Sequence, residues 1–251
     1  MSIDEAISLA VASGEQQPTL RFYGWKKPTL SLGYFQKLDE SQRFLASRQQ
    51  SPVDNHAIEI VRRSTGGGAI IHDHEWTYSL SLPLADNGPG PRETVYQSVH
   101  QIIRDTLARS SVMARPFHQF DQTVAGSKER AGGLRTKTDE AFLCFQRRTR
   151  EDLICNGYKI LGSAQRRVRG GILQHGSLLL SVSRWADVLP GIRELTNVDV
   201  NIQKFSTEIA DCLGRELEIE FAPGVLTDAE IESSDRIQGT RYAADEWTRR
   251  R

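Results

Sequence analysis

The stretch "RRSTGGGAIIHDHEWTYSLSLP", Arg62 to Pro83, decides how the chain is read. Its segments "GAIIHD" and "WTYSLSLP" are rich in β-branched and aromatic residues, as is "AIEIVRR" just upstream, and all three are predicted strands. Between them, Gly66, Gly67 and Gly68 free the backbone to take positive φ or to approach a ligand closely, with N–H groups available to an anion. No Lys-Ser or Lys-Thr follows the glycines and no GxGxxG is present, so neither common phosphate-loop signature applies. A tight hairpin turn carrying a surface arginine pair accounts for the stretch equally well by itself.

Outward from this stretch, the pattern is mixed. "DEAISLAVA" repeats apolar residues at helical spacing near the start. "TLRFYGW" and "PTLSLGYF" alternate apolar and polar residues around "KKP" and predict a β-hairpin. "ETVYQSVHQIIRDTLARS" places Val95, Val99, Ile102, Ile103 and Leu107 on one helical face. Residues 121–140, polar and glycine-rich, predict a mobile surface loop. Strand-like segments return in "AFLCF", "EDLIC", "YKILGSAQ" and "GILQHGSLLLS". The tail adds an amphipathic helix through Ile202, Phe205, Ile209 and Leu213, a strand "LEIEF", and a helix after Pro223. Strands in series around one long helix favour an α+β class over a regular βαβ array.

The 251 residues suffice for a substantial core, and 32 basic residues balance 32 acidic ones, so no global field argues for nucleic acid or a membrane surface. No window approaches the roughly 20 apolar residues that span a bilayer, and the first residues lack a secretory pattern. Three cysteines, Cys144, Cys155 and Cys212, form no CxxC, which argues against a disulfide framework or structural zinc and for a reducing cytoplasm. Cys155 and Cys212 sit in apolar patterns and read as core residues.

Cys144 is followed by Arg147, Arg148 and Arg150, and cations near a thiol favour its thiolate. A buried, inert cysteine is the alternative. Lys159 follows a glycine turn and leads an apolar strand, which suits either a strand end with its ammonium in solvent or a cation aimed into a cleft. "LQHGS" offers His175 as a partner for Cys144, although sequence distance establishes no such geometry. In "HDH", His72 and His74 would share a strand face, and a metal site is not expected there.

Taken in order, "RFYGWKKPTLSLGYFQ", "RRSTGGGAIIHDHEWTYSLSLP", Cys144 in "CF", "GYKILGSAQRR" and "LQHGSLLL" closely resemble the biotin/lipoate ligase and octanoyltransferase superfamily over about Leu20 to Leu180. Cys144 with "GYKILGSAQ" looks most like its cysteine-dependent octanoyltransferases in the lipoate ligase-like branch. The resemblance implies a mixed β-sheet flanked by helices, of the class II aminoacyl-tRNA and biotin synthetase type. It implies a single catalytic domain over residues 1–251, with 181–251 a C-terminal helical extension.

The resemblance also implies chemistry. Cys144 would accept an octanoyl chain from acyl carrier protein, and Lys159 would orient the acyl carbonyl and favour the thiolate. Arg63, Gly66, Gly67, Gly68, Ala69 and His72 would line the acyl pocket, with Gly162, Ser163, Ala164, His175 and Gly176 completing its walls. The acceptor would be a lysine of a lipoyl domain or glycine cleavage H protein, with no cofactor required. The ATP-dependent lipoate–protein ligases of the same superfamily need ATP and Mg²⁺, and two departures point toward them: Gly68 where cysteine-dependent transferases often carry Arg, and "EDL" from Glu151 near the Asn-Asp-Leu of ligases.

Overall fold

A computed structural model describes residues 1–47, 58–84, 91–119, 141–168 and 170–251. The predicted mobile loop at 121–140 falls outside these residues. Helix α1 (Ser2–Ser13) is followed by β1 (Thr19–Tyr23), β2 (Thr29–Leu32), α2 (Leu38–Ala46), β3 (Glu59–Arg62), β4 (Ile70–His72) and β5 (Glu75–Pro83). Then come α3 (Pro91–Arg109), β6 (Arg115–Pro116), a 3₁₀ turn at Cys144–Gln146, β7 (Leu153–Cys155), β8 (Tyr158–Val168) and β9 (Gly171–Leu179). Helices α4 (Ile192–Thr196), α5 (Ile202–Leu217), α6 (Asp228–Ile237) and α7 (Asp245–Arg249) complete the chain.

Six strands form an antiparallel sheet in the order β1-β5-β9-β8-β7-β6, and β3-β2-β4 form a second, smaller one. The result is the mixed α+β class that the strand and helix patterns predict. Strand β5 shows why the large sheet is covered on both faces. Trp76, Tyr78, Leu80 and Leu82 alternate with Glu75, Thr77, Ser79 and Ser81, and all eight are buried. The apolar row meets α3 and α5 through Val99, Ile103, Leu107, Phe205, Ile209 and Leu213. Each such side chain removed from water contributes roughly 1.5–3 kcal/mol. The polar row faces the other way. There Asp4 of α1 accepts hydrogen bonds from Ser79 and from Tyr23, both near 2.8 Å, and pairs with Arg21.

Three expectations are corrected. β1 and β2 form no hairpin: β1 pairs with β5, whereas β2 pairs in parallel with β3 and antiparallel with β4. The "GWKKP" link therefore crosses between sheets, and Trp25 turns inward to stack on His72 with ring centroids 4.0 Å apart. "AFLCF" is not a strand beyond one bridge, Leu143 to Ala69, before the chain tightens into the 3₁₀ turn. "LEIEF" makes no ladder either; Glu218 caps α5 at φ 54° and Ile219 N–H returns to Gly214 O, so Ile219 and Phe221 pack as an unpaired segment.

Candidate active site

The glycine turn is shaped by what it must pass. A Cβ on Gly68 would stand 2.8 Å from the backbone N of Cys144 and 2.9 Å from its Cα. That proximity is locked by backbone bonds, Ala69 N–H to Phe142 O at 2.9 Å and Cys144 N–H to Ala69 O at 2.7 Å. Gly67 takes φ 97°, and its carbonyl fills the space a Cβ on Gly33 would need. Gly66 meets no such constraint. The turn's carbonyls point to Arg63, whose Nη2 donates to Gly66 O at 3.0 Å and Gly68 O at 2.6 Å. Its Nη1 donates to Ser31 O and Ser31 Oγ, both at 3.0 Å.

The surface arginine pair is thus no surface pair at all. Arg63 is 3% exposed and Arg62 is fully buried. Arg62 donates to the carbonyls of Gly33, Tyr34, Gln36 and Thr248, and its own carbonyl accepts from Trp247 Nε1 at 2.9 Å. Tyr242 Oη reaches Ser64 Oγ at 3.3 Å, so the segment around α7 is tied to the root of the glycine turn.

Fifteen residues of sequence separate Cys144 from Lys159, yet Lys159 Nζ lies 4.0 Å from Cys144 Sγ. The ammonium also donates to Cys144 O at 3.4 Å and Arg147 O at 3.3 Å, and it sits 5.4 Å above the Phe145 ring. The solvated strand-end reading of Lys159 does not hold, because it is buried against Asp152, with Nζ to Oδ2 at 2.7 Å. Thr149 N–H anchors Asp152 Oδ2 at 2.6 Å. Gly162 makes the lysine's path possible, since a Cβ there would stand 2.5 Å from Lys159 Cε. The arginines that follow Cys144 are engaged elsewhere: Arg147 Nε with Ala141 O, Arg148 Nη2 with Gly157 O, and Arg150 near Glu151.

His175 does not pair with Cys144 in a hydrogen bond; its Nε2 shares one of 3.0 Å with Thr65 Oγ1. Burial, helped by the Arg63 charge, pushes its pKa down to about 4, so the ring is neutral near pH 7. His72 bonds to Ser31 Oγ at 2.7 Å through Nε2 and to Glu75 Oε1 through Nδ1. Glu75 also accepts from Thr77 Oγ1, which in turn accepts from Trp25 Nε1. His74 lies beyond the end of β4, largely exposed, so the pair in "HDH" shares no strand face. Among the described residues no cluster of three metal-ligating side chains occurs.

Strand alternation divides the remaining candidates. Register puts His175 opposite Ser79 and Ala164, and Gly162 opposite Ser177, all on the glycine-turn face. Ser163 and Gly176 are opposite one another on the reverse face. There Ser163 Oγ bonds to Tyr78 Oη and His100 Nε2, each at 2.7 Å. A Cβ on Gly176 would stand 2.3 Å from that same Oγ. Burial pushes the His100 pKa down to about 4 and Tyr78 up to about 12. Sequence reasoning gave no role to Asp152, Ser31, Glu75, Thr77 or Trp25, although Asp152 lies within the "EDL" compared with the ligases' Asn-Asp-Leu and the polar half of the β5 alternation contains Glu75 and Thr77. Cys155 is a core residue, but Cys212 is half-buried at the α3–α5 groove, with Arg215 Nη2 3.2 Å from its sulfur.

The chain is similar to known proteins along its whole length. The chain is 33% identical over its whole length to an octanoyltransferase LipM from Kyrpidia tusciae, covering 94% of that protein. It is 32% identical to another from Moorella thermoacetica, covering 93%. Among solved structures, a bi-partite lipoate protein ligase from Thermoplasma acidophilum superposes with a TM-score of 0.69 at 19% identity, over 99% of this chain and 89% of that one. A lipoate-protein ligase A bound with ATP gives 0.70 at 20%, over 99% and 92%. These two establish the shared fold. The model of the lipoyl protein ligase A/B catalytic domain matches residues 1–228, and the chain belongs to that family.

Proposed function

We propose that this protein is an octanoyltransferase of protein lipoylation that works through an octanoyl thioester on Cys144. The observation that carries the reading is Lys159 Nζ at 4.0 Å from Cys144 Sγ, held by a buried carboxylate, in a chain about one-third identical to octanoyltransferases end to end. Cys144 Sγ attacks the carbonyl of an octanoyl thioester on acyl carrier protein. A new C–S bond forms, the carrier's C–S bond breaks, and the carrier leaves as its thiol after taking up a proton.

In the second half, the neutral amine of a lipoyl-domain or H-protein lysine attacks the Cys144 thioester. The amine loses a proton, the amide C–N bond forms, and Cys144 Sγ leaves. Thioester exchange is nearly isoenergetic and the amide is the more stable product, so no nucleotide need be spent. Lys159 orients the acyl oxygen in both halves as a fixed cation, an electrostatic contribution that costs no reorganisation during the reaction. Arg63, Gly66 to Ala69, His72, Gly162, Ala164 and His175 frame the acyl group from the two sheets. Residues 1–251 act as one catalytic unit, a reading supported by α5 packing on α3 and by α6 packing on α1.

The test is incubation with octanoyl–acyl carrier protein, with and without ATP, followed by mass spectrometry of the Cys144 peptide. The expected result is an octanoyl adduct formed without ATP and passed to a lipoyl domain. Lipoylation that requires ATP and survives Cys144→Ala would establish a ligase instead.

A further inference from the structure

We propose that His100 is a positioning residue for Lys159, acting from the opposite face of the large sheet through the Glu151 carbonyl and Asp152. A chain of five hydrogen bonds carries the inference, and it runs through motif residues that the transfer chemistry leaves unused. Gln165 Nε2 meets Gln174 Oε1 at 2.7 Å, Gln174 Nε2 meets Tyr78 Oη at 2.8 Å, and Tyr78 Oη meets Ser163 Oγ at 2.7 Å. Ser163 Oγ then meets His100 Nε2 at 2.7 Å, and His100 Nδ1 meets the Glu151 carbonyl at 2.6 Å. Gln174, Tyr78 and His100 are each at most 2% exposed.

The far end fixes the direction of the chain. A carbonyl only accepts, so Nδ1 of His100 carries the proton. Burial holds the ring neutral, with a pKa of about 4, so Nε2 accepts from the Ser163 hydroxyl. The Ser163 oxygen accepts from Tyr78, whose own oxygen accepts from the Gln174 amide. Each proton is used once, and the last donor reaches the peptide that joins Glu151 to Asp152. Tyr96 closes the assembly: its ring lies 4.4 Å from that of His100, and its hydroxyl donates to Ser163 O at 3.1 Å. A Cβ on Gly176 would stand 2.3 Å from Ser163 Oγ and 2.5 Å from Tyr78 Cε1, so the chain also accounts for that glycine.

The register of β7 against β8 shifts between Leu153 and Ile154, directly after Asp152. Where a ladder is interrupted, strand pairing alone does not aim a side chain. Asp152 is held by other means. His100 takes the carbonyl before it, Phe117 N–H donates to its own carbonyl at 2.8 Å, and Thr149 N–H donates to its carboxylate. That carboxylate in turn holds Lys159 Nζ 4.0 Å from Cys144 Sγ.

The proposal rests on the transferase reading for its catalytic meaning. Its test compares His100→Gln with His100→Asn. The glutamine amide reaches the place of Nε2 and meets Ser163, leaving the Glu151 carbonyl without its donor. The asparagine amide takes the place of Nδ1 and still donates to that carbonyl. Each variant leaves one end unfilled, so a merely structural role gives both the same loss. In His100→Gln, single-turnover octanoylation of Cys144 and its alkylation by iodoacetamide should each slow about tenfold or more. The carrier concentration giving half-maximal octanoylation should not change. In His100→Asn both rates should return to within about threefold of wild type. Rates in His100→Asn no faster than in His100→Gln, or wild-type rates in both, overturn the proposal. If neither variant folds, the ring-nitrogen NMR shifts of His100 in wild type decide. A protonated Nδ1 with a bare Nε2 is expected, and a protonated Nε2 overturns the path to Glu151. Alkylation and the NMR signature need no acyl donor, so a wild-type chain that takes up no octanoyl group would remove the proposed function while leaving this result readable.

Discussion

Asp152 Oδ2 sits 2.7 Å from Lys159 Nζ, and both side chains are sealed from solvent. Breaking a buried pair by removing one charge typically costs about 3–5 kcal/mol, because the survivor is left uncompensated. Asp152→Asn should therefore destabilise the fold by that order in urea unfolding. The folded fraction should also acylate Cys144 slowly, because the lysine is no longer held beside the sulfur. A variant with wild-type stability and wild-type acyl-enzyme formation would remove Asp152 from any positioning role.

Gly162 lets the lysine reach its place. A methyl group there would collide with Lys159 Cε at 2.5 Å and Nζ at 2.8 Å, and this side chain is pinned by Asp152. Gly162→Ala should lower the rate of acyl transfer at least tenfold while costing about 1–3 kcal/mol of stability, the usual range for overpacking. Single-turnover acylation followed by mass spectrometry checks it. Little change in the rate would mean the lysine's position is not needed.

Gly68 is tested in the same way from the opposite side. Gly68→Ala sets a methyl group against the Cys144 backbone, so the turn and the 3₁₀ segment must separate. Alkylation of Cys144 and octanoyl transfer should both change, whereas Gly224→Ala, whose added methyl meets open space, should alter neither. Retained transfer in Gly68→Ala would show that the contact is dispensable.

His100 makes the fold sensitive to acid. Its pKa falls from an ordinary 6.5 to about 4 on burial, so the unfolded chain binds more protons between those values. The stability attached to the neutral ring is complete above about pH 6.5, declines as pH falls toward 4, and is fully lost below it. The span corresponds to at most about 3 kcal/mol. Thermal melts of His100→Gln against wild type should show a shallower decline across that window. Parallel profiles would locate the acid sensitivity elsewhere.

How far the site was legible follows from the range over which each residue's role is decided. Cys144 and Lys159 were legible as residue types in order, because both match the pattern of the cysteine-dependent octanoyltransferases the chain resembles, whereas Gly68 departs from it toward the ligases. Asp152 was legible only as the middle of the "EDL" compared with the ligases' Asn-Asp-Leu; nothing in "EDLIC" distinguishes a carboxylate turned inward onto a lysine from one in solvent. Ser163 and Gly176 sit within motif stretches yet face the reverse side, because a motif reports neighbours along the chain and a strand sends every second one away.

The sequence by itself determined the elements with a strong local period: the α3 and α5 faces, the alternating strand β5, and the order of glycine turn, cysteine and lysine. Tertiary structure alone decided the partners. It sent β1 to β5 and β2 to β3 and β4, brought Lys159 onto Asp152 beside Cys144, and sealed Arg62 and Arg63 inside with only uncharged acceptors. Periodicity is set by sterics between near neighbours, whereas pairing and burial of charge depend on which distant segments share one core. That is why "RRSTGGG" reads as an exposed turn in one dimension and is a buried brace for the cysteine in three.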